Sequence, residues 1–428
     1  MGNWLPDFAQ EFAPLMKRLL VLIFAALLTS TSIAQAEALP NTFTIKGAGF
    51  GHGVGLSQIG AKGQALEGKS AVEILNYYFP TSQVVPVSDT ATIRVNLAHQ
   101  VSNIKISLSK NLLNNQWALT AGETGTPLSG STPITFSLLG QQITAGNYGV
   151  ADYWTLRWNE STTTVVVPND STSTTLAHGY IQVKPVLVKG IGYRIEVTNT
   201  LNLRDHYLWG VSEVSSSWPA AAMQAQAIAS RTYALSRMGS IRKECDCNIY
   251  NHKYDQVYAG YSKENEPKYG ALWKAAVSAT NVDTSTALAI TYKGKPINVF
   301  FSSSSGGATA TAKDVWGTDY PYLVSVPDPW SLDAKLNPKY NAWSVTVTQK
   351  AMAAAFGLPD VARYVVTART STSAVLTLTA TSSKGVTARL AVGLFKTRLK
   401  IPSSWFNLPT TVLIPTPPPI TESSTPTS

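Results

Sequence analysis

Glycine occupies every odd position from residue 47 to residue 55, in the run G-A-G-F-G-H-G-V-G, with His52 inside it. Glycine within a strand is costly in conformational entropy, and it usually marks a bulge or a place where another backbone or a ligand comes close. Interpreted as a strand, the run projects Phe50, His52 and Val54 from one face and leaves bare backbone on the other. The run alone leaves two interpretations open, tight internal packing or a ligand-binding edge.

Residues 1–36 have the pattern of an export signal. The triplet M-K-R at residues 16–18, with two basic residues, precedes an apolar run at residues 19–28. A-Q-A at residues 34–36 follows as a cleavage pattern. The apolar run is too short to cross a bilayer comfortably. We therefore expect a mature protein that starts near Glu37, is secreted or held in the cell wall, and has no stable membrane span.

The composition favours an exported, strand-rich protein, since 44% of the residues are apolar and only 14% are charged. The net charge of +9 is spread along the chain, which is typical of an ordinary solvated surface and also compatible with an anionic polymer such as cell-wall material. No nucleic-acid-binding motif accompanies it, so nucleic acid is not an expected partner.

The order of sequence patterns predicts an α+β fold of short strands and a few helices, interrupted by an all-β module. Helices are expected at residues 56–66, 71–78, 220–237, 270–281 and 349–356, and a hairpin with arms 287–292 and 297–301. The predicted regions are a signal region (1–36), an N-terminal part of the main domain (37–90), a β-rich insert (91–199), the main domain (200–410) and a Pro/Thr/Ser-rich tail (411–428).

One glutamate is placed as a catalytic acid would be. Glu213 lies between apolar residues, five positions before Trp218 and just upstream of the predicted helix that follows Pro219. An apolar surround raises a carboxyl pKa and suits the group to general acid catalysis. The residues alone equally allow a helix-capping or surface glutamate. Signatures of a P-loop, a nucleophile elbow and H-E-x-x-H are missing.

The segment E-V-S-S-S-W-P at 213–219, followed by A-Q-A-I-A-S-R-T-Y-A at 225–234, resembles the SpoIID/LytB family. Further matches are D-Q-V-Y-A-G at 255–260, F-S-S-S-S-G-G at 301–307, D-V-W-G at 314–317 and G-H-G-V-G-L-S-Q at 51–58. In the family the last of these elements usually closes the domain, whereas here it lies near the N-terminus. The resemblance therefore implies a circularly permuted domain that residues 91–198 interrupt.

The resemblance implies a lytic transglycosylase acting on the glycan strands of bacterial peptidoglycan, including strands stripped of stem peptides. Glu213 would protonate the oxygen between N-acetylmuramic acid and N-acetylglucosamine, and then accept the proton of the C6 hydroxyl as a 1,6-anhydro ring closes. This chemistry needs no second carboxylate, unlike ordinary glycoside hydrolysis.

The other expected site residues fall into two groups. Substrate contacts are expected from His52, Gln58, Gln256, Tyr258, Ser302, Ser303, Ser304 and Ser305, and support for the Glu213 segment from Trp218, Arg231 and Tyr233. The alternative function is a non-catalytic wall-binding protein that enhances an N-acetylmuramoyl-L-alanine amidase, which would then be a partner. A zinc-dependent amidase ranks last, because its His/Glu ligand set is missing.

Cys245 and Cys247 are the two cysteines of the chain. Many members of the family have a zinc site with two cysteines, at positions that correspond here to Tyr250 and Asp255. The C-x-C pair could form a disulfide, or two thiolate ligands joined by His252. No cofactor is expected, and zinc stays open without support from the ligand spacing.

Overall fold

The computed structural model describes residues 38–109, 116–169, 172–252, 255–409, 412 and 414–418. The predicted signal region and most of the predicted tail lie outside these residues, so neither prediction is tested. Within the described ranges, no helix has the length and apolar character needed to cross a membrane. From Thr42 onward the described chain forms one compact unit.

The N-terminal elements precede the insert. They are β1 (Thr42–Gly47), β2 (Leu56–Ser57), α1 (Gln58–Leu66), α2 (Ala71–Tyr78) and β3 (Gln83–Ser88). Helix α2 has the predicted bounds because a capping box fixes its start. The Ser70 hydroxyl accepts from the Glu73 backbone N–H at 3.3 Å, and the Glu73 carboxylate accepts from the Ser70 N–H at 2.8 Å.

The region expected to be an all-β insert contains strands β4 to β15 in its described part. They are β4 (Thr92–Val101), β5 (Asn103–Leu108), β6 (Trp117–Ala121), β7 (Leu128–Gly130), β8 (Ile134–Leu139), β9 (Gln142–Ala145), β10 (Val150–Ala151), β11 (Trp154–Trp158), β12 (Val165–Asn169), β13 (Thr172–Leu176), β14 (Tyr180–Val188) and β15 (Gly192–Asn202). Alternation buries one face of each strand, as Val165 and Val167 show with no exposed surface. A six-stranded sheet has the order β10-β9-β8-β5-β12-β13, and β4, β15, β14, β11, β6 and β7 form most of a seven-stranded sheet.

The chain then enters the region that carries Glu213. A π-helical turn (Leu203–Tyr207) leads into α3 (Leu208–Gly210), α4 (Ala220–Arg237), β16 (Ile249–Tyr250), α5 (Tyr261–Glu264), α6 (Gly270–Ser278), β17 (Thr286–Tyr292), β18 (Lys295–Pro296), β19 (Phe301–Ser302), α7 (Ala312–Trp316) and a 3₁₀ turn (Pro329–Leu332). Helix α4 begins after Pro219 as predicted, whereas α6 ends three residues before the predicted Asn281. The expected second arm at residues 297–301 does not form a strand beside β17: the two residues of β18, which were expected in the turn, pair with β17, and the chain then leaves that sheet to form β19.

A last group of elements has its own hydrophobic core. It comprises β20 (Trp343–Thr348), α8 (Gln349–Phe356), β21 (Arg363–Arg369), β22 (Val375–Thr381), β23 (Thr387–Ala391) and α9 (Val392–Leu399). Strand β1 pairs antiparallel with β20 along its whole length, from Thr42 opposite Thr348 to Gly47 opposite Trp343. Ile45 of β1 is fully buried in this core beside Phe395 and Phe406.

Three pairings join the N-terminal elements and the insert to the Glu213 region. Strand β2 pairs in parallel with β19, β3 pairs antiparallel with β17, and β16 adds an edge strand parallel to β4. Residues such as Tyr78, Val95 and Ile228 belong to one continuous hydrophobic core. The α+β class is confirmed. The predicted domain boundaries remain a prediction.

The glycine run is not the strand that its alternation suggested. Gly49, Gly51, Gly53 and Gly55 all have positive φ, between 73° and 115°. A Cβ at Gly55 would lie 2.2 Å from the Phe300 carbonyl oxygen, and one at Gly51 would lie 2.7 Å from the Cβ of Ser302. The bare backbone therefore makes room for the chain's own segment 300–306.

Candidate active site

Glu213 lies on an extended segment that runs beside residues 257–259. The Ser212 N–H donates to the Val257 carbonyl and the Ala259 N–H to the Gly210 carbonyl, each at 2.8 Å. These bonds place the Glu213 side chain next to the Val257 N–H, which donates to Glu213 Oε1 at 2.6 Å. The carboxyl group is thus held by backbone on one side.

The environment of Glu213 favours its neutral form. Its side chain is half-buried, and burial raises the pKa of the carboxyl group above the ordinary 4.5, while the Val257 hydrogen bond opposes the shift. With Oε1 accepting from Val257, the proton of the neutral acid is carried by Oε2. A raised pKa and a fixed orientation both suit a carboxyl group to general acid catalysis.

Gln58 is the first residue of α1 and reaches the Glu213 segment from behind. Its Nε2 donates to the Glu213 carbonyl oxygen at 3.2 Å and to Gln226 Oε1 at 3.3 Å. Gln226 in turn donates to the Ser230 hydroxyl at 3.1 Å. Gln58 is only 8% exposed, so it both lines the cleft and anchors the acid's backbone to α4.

Glu213 lines an open cleft of about 550 Å³. Small side chains dominate its walls and offer hydroxyl groups that can donate and accept hydrogen bonds. The lining residues are Gln58, Ser212, Glu213, Val214, Ser215, Trp218, Ala259, Ser262, Lys263, Glu266 and Ser303. Trp218 is half-exposed there, with the Lys62 ammonium 5.5 Å from its ring centroid.

Two charged residues of the cleft were not expected from the sequence. Lys263 donates through Nζ to the Val214 carbonyl at 2.7 Å and lies 3.9 Å from Glu266. Glu266 accepts from the Ser216 hydroxyl at 2.6 Å. Burial lowers the pKa of Lys263. In the sequence, the signal for a role of Lys263 and Glu266 in the site is their position shortly after the D-Q-V-Y-A-G motif.

The four serines predicted to bind substrate occupy different environments. Ser303 is half-buried and lines the cleft. The other three have internal partners: the Ser302 hydroxyl accepts from the Gly53 N–H, the Ser304 hydroxyl accepts from Asn337, and the Ser305 hydroxyl donates to Asp328. A role in substrate binding thus remains a prediction that has a geometric basis at Ser303.

His52 lies in a different cavity from Glu213. This cavity has a volume of about 90 Å³ and is lined by His52, Lys396, Thr370 and Trp405 among others. His52 Nδ1 accepts from the Val54 N–H at 3.0 Å. Burial, with a smaller contribution from the nearby Lys396, lowers the pKa of His52 to about 4. The structure therefore gives His52 the environment of a neutral histidine that holds the glycine run.

Gln256 and Tyr258 point into the core. Gln256 has no exposed surface and donates to the Tyr207 hydroxyl at 3.1 Å and to the Ser230 carbonyl at 3.2 Å. Tyr258 is 3% exposed, and its ring stacks on Tyr207 with centroids 5.5 Å apart. Both lie behind the backbone that holds Glu213, where direct contact with substrate is not available.

Arg231 and Tyr233 are internal, as expected of supporting residues, but their partners differ from the expected one. Arg231 has no exposed surface and bonds Asp89 at 3.0 Å and Thr280 at 2.8 Å. Tyr233 donates to Asp255 at 2.5 Å. Neither side chain contacts the Glu213 segment through a hydrogen bond given by the structure, so they support α4 and the segment after it.

Cys245 and Cys247 form a disulfide. The nearby Asp255, at one of the two positions where the family has zinc-binding cysteines, pairs with Arg242 at 2.7 Å and accepts from the Tyr250 N–H at 2.8 Å. An arginine and a tyrosine hydroxyl thus satisfy Asp255. These residues do not fit the family's zinc site, because the two cysteines are joined in a disulfide and the Asp255 carboxylate is paired with Arg242.

The fold and the site together define a class: an α+β protein with a half-buried glutamate, held by a backbone N–H, in an open cleft rich in hydroxyl groups. Residues 192–286 match the family model described as Stage II sporulation protein, SpoIID. The resemblance to the SpoIID family is confirmed over this region, which begins within β15 and includes Glu213. The match does not extend to the glycine run, whose placement it leaves untested.

Three relatives match this chain over 117 to 152 residues. The chain is 36% identical over 152 residues to an uncharacterized protein of Brachyspira hyodysenteriae, covering 35% of this chain and 38% of the relative. It is 30% identical over 145 residues to Stage II sporulation protein D of Bacillus subtilis, covering 32% and 41%. It is 29% identical over 117 residues to the Amidase enhancer of Bacillus subtilis, covering 27% and 14%. The chain therefore matches less than half of each relative's length.

Proposed function

We propose that this protein is a lytic transglycosylase of peptidoglycan glycan strands, with Glu213 as its general acid and base. The observation that carries the proposal is the Glu213 carboxyl group itself, which has a raised pKa and one oxygen fixed 2.6 Å from the Val257 nitrogen. The similarity to Stage II sporulation protein D supports it.

The reaction needs one proton donor that becomes a proton acceptor. Glu213 Oε2 gives its proton to the glycosidic oxygen as the bond from that oxygen to the anomeric carbon of N-acetylmuramic acid breaks. The resulting carboxylate accepts the proton of the same sugar's C6 hydroxyl, whose oxygen forms the new bond to the anomeric carbon. Glu213 is neutral again at the end, and the product carries a 1,6-anhydro ring.

The cleft supports this substrate class. Its volume of about 550 Å³ is in the range of roughly 300–1,000 Å³ usual for ligand sites. Ser212, Ser262 and Ser303 supply hydroxyl groups for the hydroxyls and acetamido groups of the sugars. The half-exposed Trp218 offers an apolar face for a sugar ring.

The competing function is a non-catalytic enhancer of a cell-wall amidase. The similarity to a protein named Amidase enhancer favours this candidate. An enhancer has no need of a carboxylate whose pKa is raised, and the charge state of Glu213 would not affect it.

The test compares purified glycan strands, with and without stem peptides, after digestion by the parent and by Glu213→Gln. Glu266→Gln is the matched control, because it removes the other carboxylate that lines the cleft. Mass spectrometry should find products one water lighter than hydrolysis products with the parent. Glu213→Gln should lower the rate by about 10²- to 10⁴-fold, and Glu266→Gln by about tenfold at most, since Glu266 is engaged by Ser216 and Lys263.

The pH dependence gives a second readout. Because Glu213 must be protonated, the rate should fall as the pH rises through its pKa, which lies above 4.5. Hydrolysed products that require both carboxylates would instead indicate a two-carboxylate glycosidase. If no variant cleaves glycan and all raise the activity of an added amidase equally, the protein is an enhancer.

A further inference from the structure

A cluster of metal-binding side chains lies outside the cleft, where three connections of the chain meet. Glu160 follows β11, His178 follows β13, and His206 belongs to the π-helical turn that leads towards Glu213. One ligand-type atom from each residue lies within 4.8 Å of those of the other two. The fold, and not proximity in sequence, assembles this group.

Glu264 fixes the tautomer of His178. His178 Nε2 lies 3.0 Å from Glu264 Oε1, and Glu264 is only 7% exposed. An ionised carboxylate can only accept, so Nε2 carries a proton. In the neutral ring the lone pair is then on Nδ1, which faces Glu160 Oε2 at 3.3 Å.

A proton on Nδ1 satisfies this contact as a hydrogen bond, and so does a metal ion bound by both Nδ1 and Oε2. Nitrogen and oxygen ligands of one tetrahedral Zn²⁺ ion lie about 3.3–3.5 Å apart, given Zn–N and Zn–O bonds of roughly 2.0–2.2 Å. The 3.3 Å between His178 Nδ1 and Glu160 Oε2 matches that spacing. Metal-binding histidines almost always donate their other N–H to a carboxylate or carbonyl, and Glu264 occupies that place.

His206 is the third residue of the group and lies against the face of the His178 ring. Its ring stacks on that of His178, with centroids 4.0 Å apart and planes 16° from parallel. Trp209 packs beside both rings, with centroid distances of 5.8 and 5.7 Å, and gives the group an apolar wall. Imidazole nitrogens with one carboxylate suit Zn²⁺ better than Mg²⁺ or Ca²⁺, which prefer oxygen ligands alone.

We propose that Glu160, His178 and His206 bind one Zn²⁺ ion, with water as the fourth ligand. The three ligand atoms lie within 4.8 Å of one another, and the His206 ring has to rotate off the His178 ring for all three to reach one ion. The ion joins the insert to the turn before Glu213. Glu264, the carboxylate that contacts His178 Nε2, neighbours Lys263, which donates to the Val214 carbonyl at 2.7 Å. The site is thus a structural cross-link, and it does not depend on the proposed reaction.

The test uses the full chain without a polyhistidine tag, stripped with a chelator and titrated with Zn²⁺ alone. Equilibrium dialysis with elemental analysis should find one Zn²⁺ per chain, and Zn²⁺ should raise the Tm. Glu160→Gln and His206→Asn should each weaken binding at least about tenfold. His99→Asn is the matched control, since His99 also pairs with a carboxylate, Glu196, at 2.9 Å but lies outside the group; it should bind Zn²⁺ like the parent.

Circular dichroism of each variant separates loss of the site from loss of the fold. The proposal is overturned if the parent binds no Zn²⁺ at micromolar concentrations, or if binding survives in the Glu160→Gln, His206→Asn double variant. A proton could fill the same gap by making His178 an imidazolium. In that case Glu160→Gln changes the Tm equally with and without Zn²⁺, which also overturns the proposal.

Discussion

Single hydrogen bonds connect the candidate acid of this protein to two separate parts of the chain. The Val257 N–H holds the carboxyl group of Glu213, and the Gln58 amide holds its carbonyl. Gln58 lies 155 residues before Glu213, in the motif that begins with the glycine run. At the scale of the residue, Gln58 therefore positions the backbone of the acid.

Gln58→Met tests this positioning role. The change keeps the side-chain volume but removes the donor to Glu213, so we expect a lower kcat with little change in KM and a loss of about 1 kcal/mol in the free energy of unfolding. The pH at which the rate falls should stay constant, because Gln58 does not touch the carboxyl group. Gln64→Met, on the same helix and 3% exposed, is the control and should retain kcat.

His52 predicts a pH dependence of stability. Its pKa is about 4 in the folded protein and 6.5 ordinarily, so between these values the unfolded chain binds a proton that the folded chain does not. The free energy of unfolding should therefore fall as the pH drops from 6.5 to 4, by about 3 kcal/mol. His52→Asn should remove this part of the slope in urea titrations. An unchanged slope would mean that the pKa of His52 is the same in the folded and the unfolded chain.

At the scale of the element, helix α4 depends on a buried ion network. Asp89 lies between Arg231 and Arg204, at 3.0 and 2.8 Å, and neither Asp89 nor Arg231 has any exposed side-chain surface. Burial raises the pKa of Asp89 in spite of both arginines. The network connects α4 to the end of β3, so that the helix behind Glu213 is fixed to the N-terminal part of the chain.

Arg231→Met should be severely destabilising. It leaves Asp89 with one arginine in a buried site, which costs about 3–5 kcal/mol at neutral pH, and the loss should shrink in acid as Asp89 becomes neutral. Arg237→Met, six residues along the same helix, removes a 3.2 Å bond to Asn298 and a cation–π contact with Tyr233 and should cost about 1 kcal/mol. If urea unfolding shows that both variants lose the same free energy of unfolding, the buried ion network does not stabilise α4 in the way described.

The sequence predicted those elements whose signals are local. The capping box of Ser70 and Glu73 gave the bounds of α2, and the alanine-rich run after Pro219 gave those of α4. The glycine run was misinterpreted because its positive φ angles arise from contact with segment 300–306, which is about 250 residues away. Motif resemblance located Glu213. Its neighbour Glu266 and the pairing of His178 with Glu264 depend on tertiary contacts without a local pattern.

At the scale of the whole molecule, β1 completes the core of the last group of elements. Ile45→Ala should cost about 2–5 kcal/mol, because it opens a cavity in a fully buried site. Hydrogen exchange should accelerate in β20 to β23 and remain slow in α4. The control Leu187→Ala alters a side chain that is 64% exposed and should change stability by less than about 0.5 kcal/mol. Faster exchange in α4 as well would show that the two cores unfold together.

The ribosome makes β1 first and its partner β20 about 300 residues later, which at roughly 5–20 residues per second is a delay of some 15–60 s. Throughout that interval the alternating T-F-T-I-K-G strand has an unpaired edge, the kind of surface that promotes association with other chains. Correct closure of the molecule thus waits for translation to pass residue 348, and a chain truncated before that point retains an unprotected strand.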